Sequence, residues 1–96
     1  MSWKIVYDAK ACRDLARLPS RDHERIVERI ERLTGDQRGL DIKALRGDDR
    51  SRLRVGNYRV LFRAEPSNER YKVLRILRRN EQTFRLHVWL AIFGAA

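Results

Sequence analysis

The hydrophobic pattern changes period along the chain. Trp3-Lys4-Ile5-Val6-Tyr7 is rich in aromatic and β-branched residues and predicts a short first strand. Asp8 stands where a helix N-cap belongs, ahead of Ala9-Lys10-Ala11-Cys12. Cys12, Leu15, Ala16 and Leu18 fall on one helical stripe, which makes Cys12 a buried structural thiol rather than a nucleophile. Pro19 ends this helix, and Ser20 is placed to cap the next. In that second helix Ile26, Val27, Ile30 and Leu33 fall at i, i+1, i+4 and i+7. Its outer face carries Glu24, Arg25, Glu28, Arg29, Glu31 and Arg32, with Glu28 and Arg32 spaced to pair. Gly35 is the expected stop. Two helices with one apolar side need a sheet to cover.

The period then drops to two. Ser51 to Val55 alternates strictly, Gly56-Asn57 is a two-residue hairpin signal, and Tyr58 to Ala64 follows as a second strand. Pro66-Ser67-Asn68 marks another turn. Tyr71 to Leu77 forms a third strand, with Val73, Leu74, Ile76 and Leu77 suggesting burial on both faces. The expected fold is α+β, a small antiparallel sheet made of the N-terminal strand plus a three-strand meander, with a two-helix hairpin packed on one face. Residues 1–96 read as a single domain, with an apolar tail over 84–96.

The hairpin register follows from its turn. With Gly56-Asn57 as the loop, Val55 faces Tyr58, Arg54 faces Arg59, Arg52 faces Leu61 and Arg50 faces Arg63. Alternation puts Leu53, Val55, Tyr58, Val60 and Phe62 on the core face, where packing is the default role of Tyr58. The other face receives Arg50, Arg52, Arg54, Arg59, Leu61 and Arg63. Like charges directly opposite on a sheet repel by up to about 1 kcal/mol per pair. No acid on this face is expected to relieve them, so the face is expected to bind an anion. Arginine suits phosphate because its planar fork grips two oxygens and stays charged.

Charge supports the same reading. The chain has 96 residues and a net charge of +9. Residues 1–48 carry 11 basic and 9 acidic side chains, and residues 49–96 carry 11 and 4. The second half is therefore a positive field that suits a polyanion such as nucleic acid, an acidic protein or an anionic membrane. A solubilising surface is the plainer alternative. Hydrophobic residues make up 43% of the chain, enough for a packed core. No stretch approaches the ~20 apolar residues of a membrane span, and the amino terminus lacks the layout of a secretory signal. One cysteine permits no internal disulfide and no cysteine-based zinc site, and it fits a cytoplasmic setting. No phosphate-cradling glycine loop and no cluster with metal-ligand spacing is present. Leu86, Val88, Trp89, Leu90, Ile92 and Phe93 make the tail apolar. It reads either as a closing element over the core or as a patch covered by a partner.

Leu45-Arg46-Gly47, the run from Arg52 to Phe62, and the run from Val73 to Arg79 resemble the RelE toxins of bacterial and archaeal toxin–antitoxin pairs. The opening strand and the pattern Ala-x-x-Asp-Leu-x-x-Leu-Pro from Ala11 to Pro19 fit as well. The resemblance spans residues 3 to about 85. It implies a compact sheet with two helices on one face. It also implies an enzyme that cleaves messenger RNA in the ribosomal decoding site, without a cofactor, neutralised by an acidic antitoxin that wraps the toxin and builds higher assemblies. Arg52 and Arg59 match the family's basic hairpin positions, Arg50 matches a further one, and Arg79 resembles the arginine ending the last strand. Arg54, Arg63, Arg46 and Lys43 would hold neighbouring RNA phosphates.

One position departs from the family. Many RelE toxins carry a tyrosine shortly after the last strand, where this chain has Phe84. Phenylalanine stacks on a base but transfers no proton. Glu81 and His87 are the nearest titratable groups, and His87 has an intrinsic pKa suited to acid–base work, with an ordinary tail histidine as the alternative. Two other readings stay open: a ParE-like protein that shares the fold and poisons DNA gyrase without catalysis, and a basic RNA-binding module that does not cleave.

Overall fold

The computed structural model describes residues 3–78. Arg79, Glu81, Phe84, His87 and the 84–96 tail lie outside the described residues. The chain runs β1 (Lys4–Tyr7), α1 (Ala9–Ala16), α2 (Ser20–Glu31), a 3-10 turn (Arg32–Thr34), β2 (Asp41–Ala44), β3 (Arg50–Val55), β4 (Tyr58–Glu65), a second 3-10 turn (Pro66–Asn68) and β5 (Arg70–Arg78).

The α+β expectation holds, with two changes to the sheet. Its strand order is β1-β5-β4-β3-β2. β2 is a strand the sequence pattern did not reveal. Only Ile42 in Asp-Ile-Lys-Ala turns to the core, opposite Leu53, so four residues carry too little alternation to read. The second change is a correction: the sheet is mixed, not antiparallel throughout, because β1 pairs with β5 in parallel. The helix pair and strands β2–β4 lie between them, a long connection of the kind a parallel partner requires.

The hairpin register is the one the turn implies. Arg54 lies opposite Arg59, Arg52 opposite Leu61, Arg50 opposite Arg63, and Val55 opposite Tyr58. Gly56 has φ +57 and no non-glycine neighbour in the turn has positive φ. That pattern is the II′ hairpin turn, whose twist matches the flanking strands.

One sheet face and both helices share the core. Ala11 and Leu15 of α1 and Ile26 and Ile30 of α2 meet Leu53, Val55, Val60, Phe62, Val73 and Ile76. Each fully buried branched side chain stabilises the fold by about 1.5–3 kcal/mol. β5 reaches this core through a bulge. Leu61 pairs with Arg75 but Phe62 pairs with Val73, so Leu74 is an extra residue. The bulge lets Val73 and Ile76, three positions apart, both turn inward. Leu74 and Leu77 are half-buried, so the expected double-sided burial is only partial.

Several local expectations shift. Cys12 is exposed, not buried. The sheet-facing pair is Ala11 and Leu15, and one further residue turns Cys12 about 100° away. Asp8 caps α1, accepting from the Lys10 amide at 3.4 Å. Ser20 is the first residue of α2, not its cap. Pro19 takes the cap position without a side-chain bond. Glu28 pairs with Arg29 at 3.5 Å instead of Arg32. Arg32 turns to the carbonyls of Asp36 and Arg38, which it ties into the connection after α2.

α1 is fastened to the sheet by a carboxylate. β1 ends opposite Val73, which leaves the next stretch of β5 with an open edge. There Asp14 accepts from the Ile76 amide at 2.9 Å and from Arg75 Nε at 2.8 Å and Nη2 at 3.1 Å. Among the described residues no strand reaches this edge, and a helix side chain covers it.

Candidate nucleic-acid interface

The face of the sheet away from the helices gathers the basic residues. β3 contributes Arg50, Arg52 and Arg54, and β4 contributes Arg59, Leu61 and Arg63. The neighbouring strands extend the face. Lys43 of β2 lies beside Arg52, and Lys72 of β5 lies beside Arg63. The signal for Lys72 is its place between Tyr71 and Val73, both of which turn to the core. Arg46, exposed in the 45–49 turn, sits at one end of this surface.

The arginines are not equivalent. Arg54 is exposed and makes no ion pair or hydrogen bond among the described residues. Arg59 is half-buried on the central strand, between Arg54 and Leu77 of the flanking strands. Arg52 has 19% of its side chain exposed and approaches Asp41 at 3.7 Å. Its Nε is buried and has no hydrogen-bond partner among the described residues. Arg63 meets Asp49 at 3.3 Å. Leu61, between these cations, is fully buried although it lies outside the main core cluster.

Arg50 is committed elsewhere. Its Nε donates to Asp48 Oδ2 at 2.7 Å, its Nη2 donates to the same oxygen, and its own amide donates to Asp48 Oδ1 at 2.9 Å. Both side chains are largely covered, at 14% and 17% exposure. The paired guanidinium holds the Asp48 carboxyl well below the usual carboxylate range. Arg50, which the resemblance matches to a basic hairpin position, thus also closes the turn between β2 and β3.

Acids do relieve this face, contrary to the sequence expectation. Asp41 comes from β2, and Asp48 and Asp49 come from the turn before β3. Asp48 and Asp49 were visible signals, since each precedes the arginine run directly. Asp41 became relevant only once β2 was known to pair with β3.

Other candidate chemistry is sparse. Among the described residues no group of three or more His, Cys, Asp or Glu is placed to hold a metal ion. Tyr58 is buried on the core face as expected, and its hydroxyl donates to Asp22 of α2 at 2.8 Å. That bond, followed by burial, raises its pKa. A concavity of about 270 Å³ between Trp3, Leu33, Thr34, Gly35, Gln37 and Tyr71 has no charged lining and so does not suit a phosphate. No helix among the described residues is long and apolar enough to cross a membrane.

Known proteins share this architecture. An archaeal RelE–RelB complex from Pyrococcus horikoshii OT3 matches with a TM-score of 0.73 and 23% identity, over 84% of this chain and 99% of that one. The RelBE2 toxin–antitoxin complex of Mycobacterium tuberculosis matches with a TM-score of 0.70 and 27% identity, over 82% and 100%. The RelB–RelE complex of Methanococcus jannaschii gives 0.64 and 27%, over 77% and 89%. Comparison with curated protein sequences returns no match. The family described as "ParE toxin of type II toxin-antitoxin system, parDE" matches residues 5–83. With its helix pair, five-strand sheet and cationic outer face, the chain belongs to the RelE/ParE superfamily of type II toxin–antitoxin toxins.

Proposed function

We propose that this toxin is a ribosome-dependent endoribonuclease that cleaves messenger RNA in the decoding site and so inhibits translation. The observation that carries the reading is the gathering of Arg50, Arg52, Arg54, Arg59, Arg63, Lys43 and Lys72 on one face of the sheet. That concentration of cations, only partly offset by Asp41, Asp48 and Asp49, is a field that suits an RNA backbone.

Cleavage proceeds by attack of the ribose 2′-oxygen on the adjacent phosphorus. A base takes the 2′-hydroxyl proton, the bond to the 5′-oxygen breaks, and an acid protonates that leaving oxygen. The pentacoordinate transition state carries extra negative charge on the phosphoryl oxygens, and fixed cations stabilise it most. Arg59, half-buried on the central strand, is the proposed clamp for that charge. Arg52 stands across from Leu61 on the neighbouring strand and adds charge beside it. Arg54, Arg63, Lys43, Lys72 and Arg46 hold flanking phosphates. Arg50 acts by fixing the turn through Asp48. A guanidinium is a poor base because its pKa exceeds ~12, so proton transfer falls to Glu81, His87 or ribosomal groups. Arg79 and Phe84 take the roles that the resemblance implies, a further cation and a stacking surface.

The neighbours from Pyrococcus, Mycobacterium and Methanococcus are complexes of toxin with antitoxin. An acidic antitoxin covering this cationic face is the corresponding partner here.

The test is primer extension on a defined message with purified ribosomes, wild-type protein and Arg59→Ala. Cuts confined to the decoding site that fall at least a hundredfold in the variant support the reading, since one electrostatic contact to the transition state is worth about 10²–10³ in rate. Full activity in Arg59→Ala removes it. Absence of any cut, together with inhibition of DNA gyrase, replaces it with the ParE-like reading that the family match also accommodates.

A further inference from the structure

Three carboxylates face the cationic surface, but they differ in how firmly they are held. Asp48 is 17% exposed and takes three hydrogen bonds from Arg50. Asp41 is 56% exposed and reaches Arg52 only at 3.7 Å. Asp49 is 70% exposed and reaches Arg63 at 3.3 Å. Exposed, loosely aligned pairs contribute little and open readily, whereas a covered, multiply bonded pair does not. The buried Nε of Arg52 has no hydrogen-bond partner among the described residues, so Asp41 satisfies this guanidinium incompletely. The geometry is that of a fixed pair beside two exchangeable ones.

We propose that Asp41 and Asp49 are internal stand-ins for RNA phosphate, displaced when RNA binds. They hold Arg52 and Arg63 in place before binding, and they lower the affinity of the face for polyanions in general. Binding becomes an exchange of two carboxylates for two phosphates, not capture by bare cations. A sequence-indifferent cationic sheet would stick to any nucleic acid. The aspartates restrict tight binding to a ligand that brings several phosphates into register at once. Asp48 takes no part in the exchange, because its oxygens are already occupied by Arg50. The inference rests on the proposed RNA-binding role of this face and adds the residues that tune it.

The experiment measures binding of a labelled single-stranded RNA oligonucleotide by anisotropy across a salt series. The proteins are wild type, Asp41→Asn, Asp49→Asn, Arg54→Ala and a charge control, Glu24→Gln. Glu24 is exposed on α2, in the layer on the opposite side of the sheet. Each aspartate variant is expected to tighten binding about two- to fivefold, the range of an exposed ion pair. The salt slope should stay close to that of wild type, because Arg52 and Arg63 meet phosphate in both proteins once the carboxylates are displaced. Glu24→Gln should leave the affinity unchanged. If the aspartate variants behave like Glu24→Gln while Arg54→Ala weakens binding, the exchange is refuted and the RNA-binding face stands. If Arg54→Ala binds as well as wild type, the RNA-binding reading falls, and the exchange falls with it.

Discussion

The contact between Asp14 and the open edge of β5 offers the sharpest test of how the fold is held. Its carboxylate takes three hydrogen bonds, from Arg75 Nε at 2.8 Å, Arg75 Nη2 at 3.1 Å and the Ile76 amide at 2.9 Å. The pair is mostly shielded, with Asp14 11% and Arg75 23% exposed. Asp14→Ala would strand the Ile76 N–H and the guanidinium together. A hydrogen bond to a charged group is worth about 1.5–3 kcal/mol, and breaking a fully buried ion pair costs about 3–5 kcal/mol. Some water reaches this pair, so the expected loss is about 2–3 kcal/mol. In a domain of this size that lowers Tm by about 10 °C or more. Urea unfolding followed by circular dichroism should show a lower midpoint at unchanged slope. Asp14→Asn keeps an acceptor for the Ile76 amide and loses the charge, so it should fall between wild type and alanine. A loss below about 0.5 kcal/mol in Asp14→Ala would refute the argument. Docking of α1 would then rest on Ala11 and Leu15 alone.

Two further outcomes follow from the same geometry. Gly56→Ala should cost about 1–2 kcal/mol in urea unfolding, because φ +57 strains any residue with a Cβ and the new atom would lie 3.1 Å from the Arg25 guanidinium. Asp48 and Glu65 are both held below their ordinary pKa values by hydrogen bonds from Arg50 and Arg70. A depressed carboxylate contributes stability that is full above its unfolded pKa near ~4 and is lost as pH falls through its folded value. Stability should therefore drop on acidification below about pH 4. Asp48→Asn should flatten that drop, which urea midpoints at neutral and acid pH will show.

Some of this protein is legible from the chain alone, and the reason is physical. Alternation has a period of two, and a Gly-Asn turn leaves one register for the strands it joins. The opposition of Arg54 to Arg59 and of Arg50 to Arg63 was therefore determined before any tertiary contact was known. The same holds for the stripe of Ile26, Ile30 and Leu33, whose spacing admits one buried face. The arginine face, and with it most of the candidate site, follows from these local rules.

The rest was decided by contacts distant in sequence. β2 is a strand because β3 has an edge to fill, not because Asp-Ile-Lys-Ala prefers to be one. β1 runs parallel to β5 because the helix pair and strands β2–β4 between them return the chain to the same end of the sheet. The exposed position of Cys12 depends on the rotation of α1, which Ala11, Leu15 and the Asp14–Arg75 bond set together. The ranking of the arginines is tertiary too. Sequence shows five equal cations. Folding brings Asp48 fully onto Arg50, leaves Asp41 and Asp49 loosely against Arg52 and Arg63, and gives Arg54 no ion pair among the described residues, although Asp41 is its cross-strand neighbour. Periodicity reports which way a side chain points. Only the assembled sheet reports which charge it meets there.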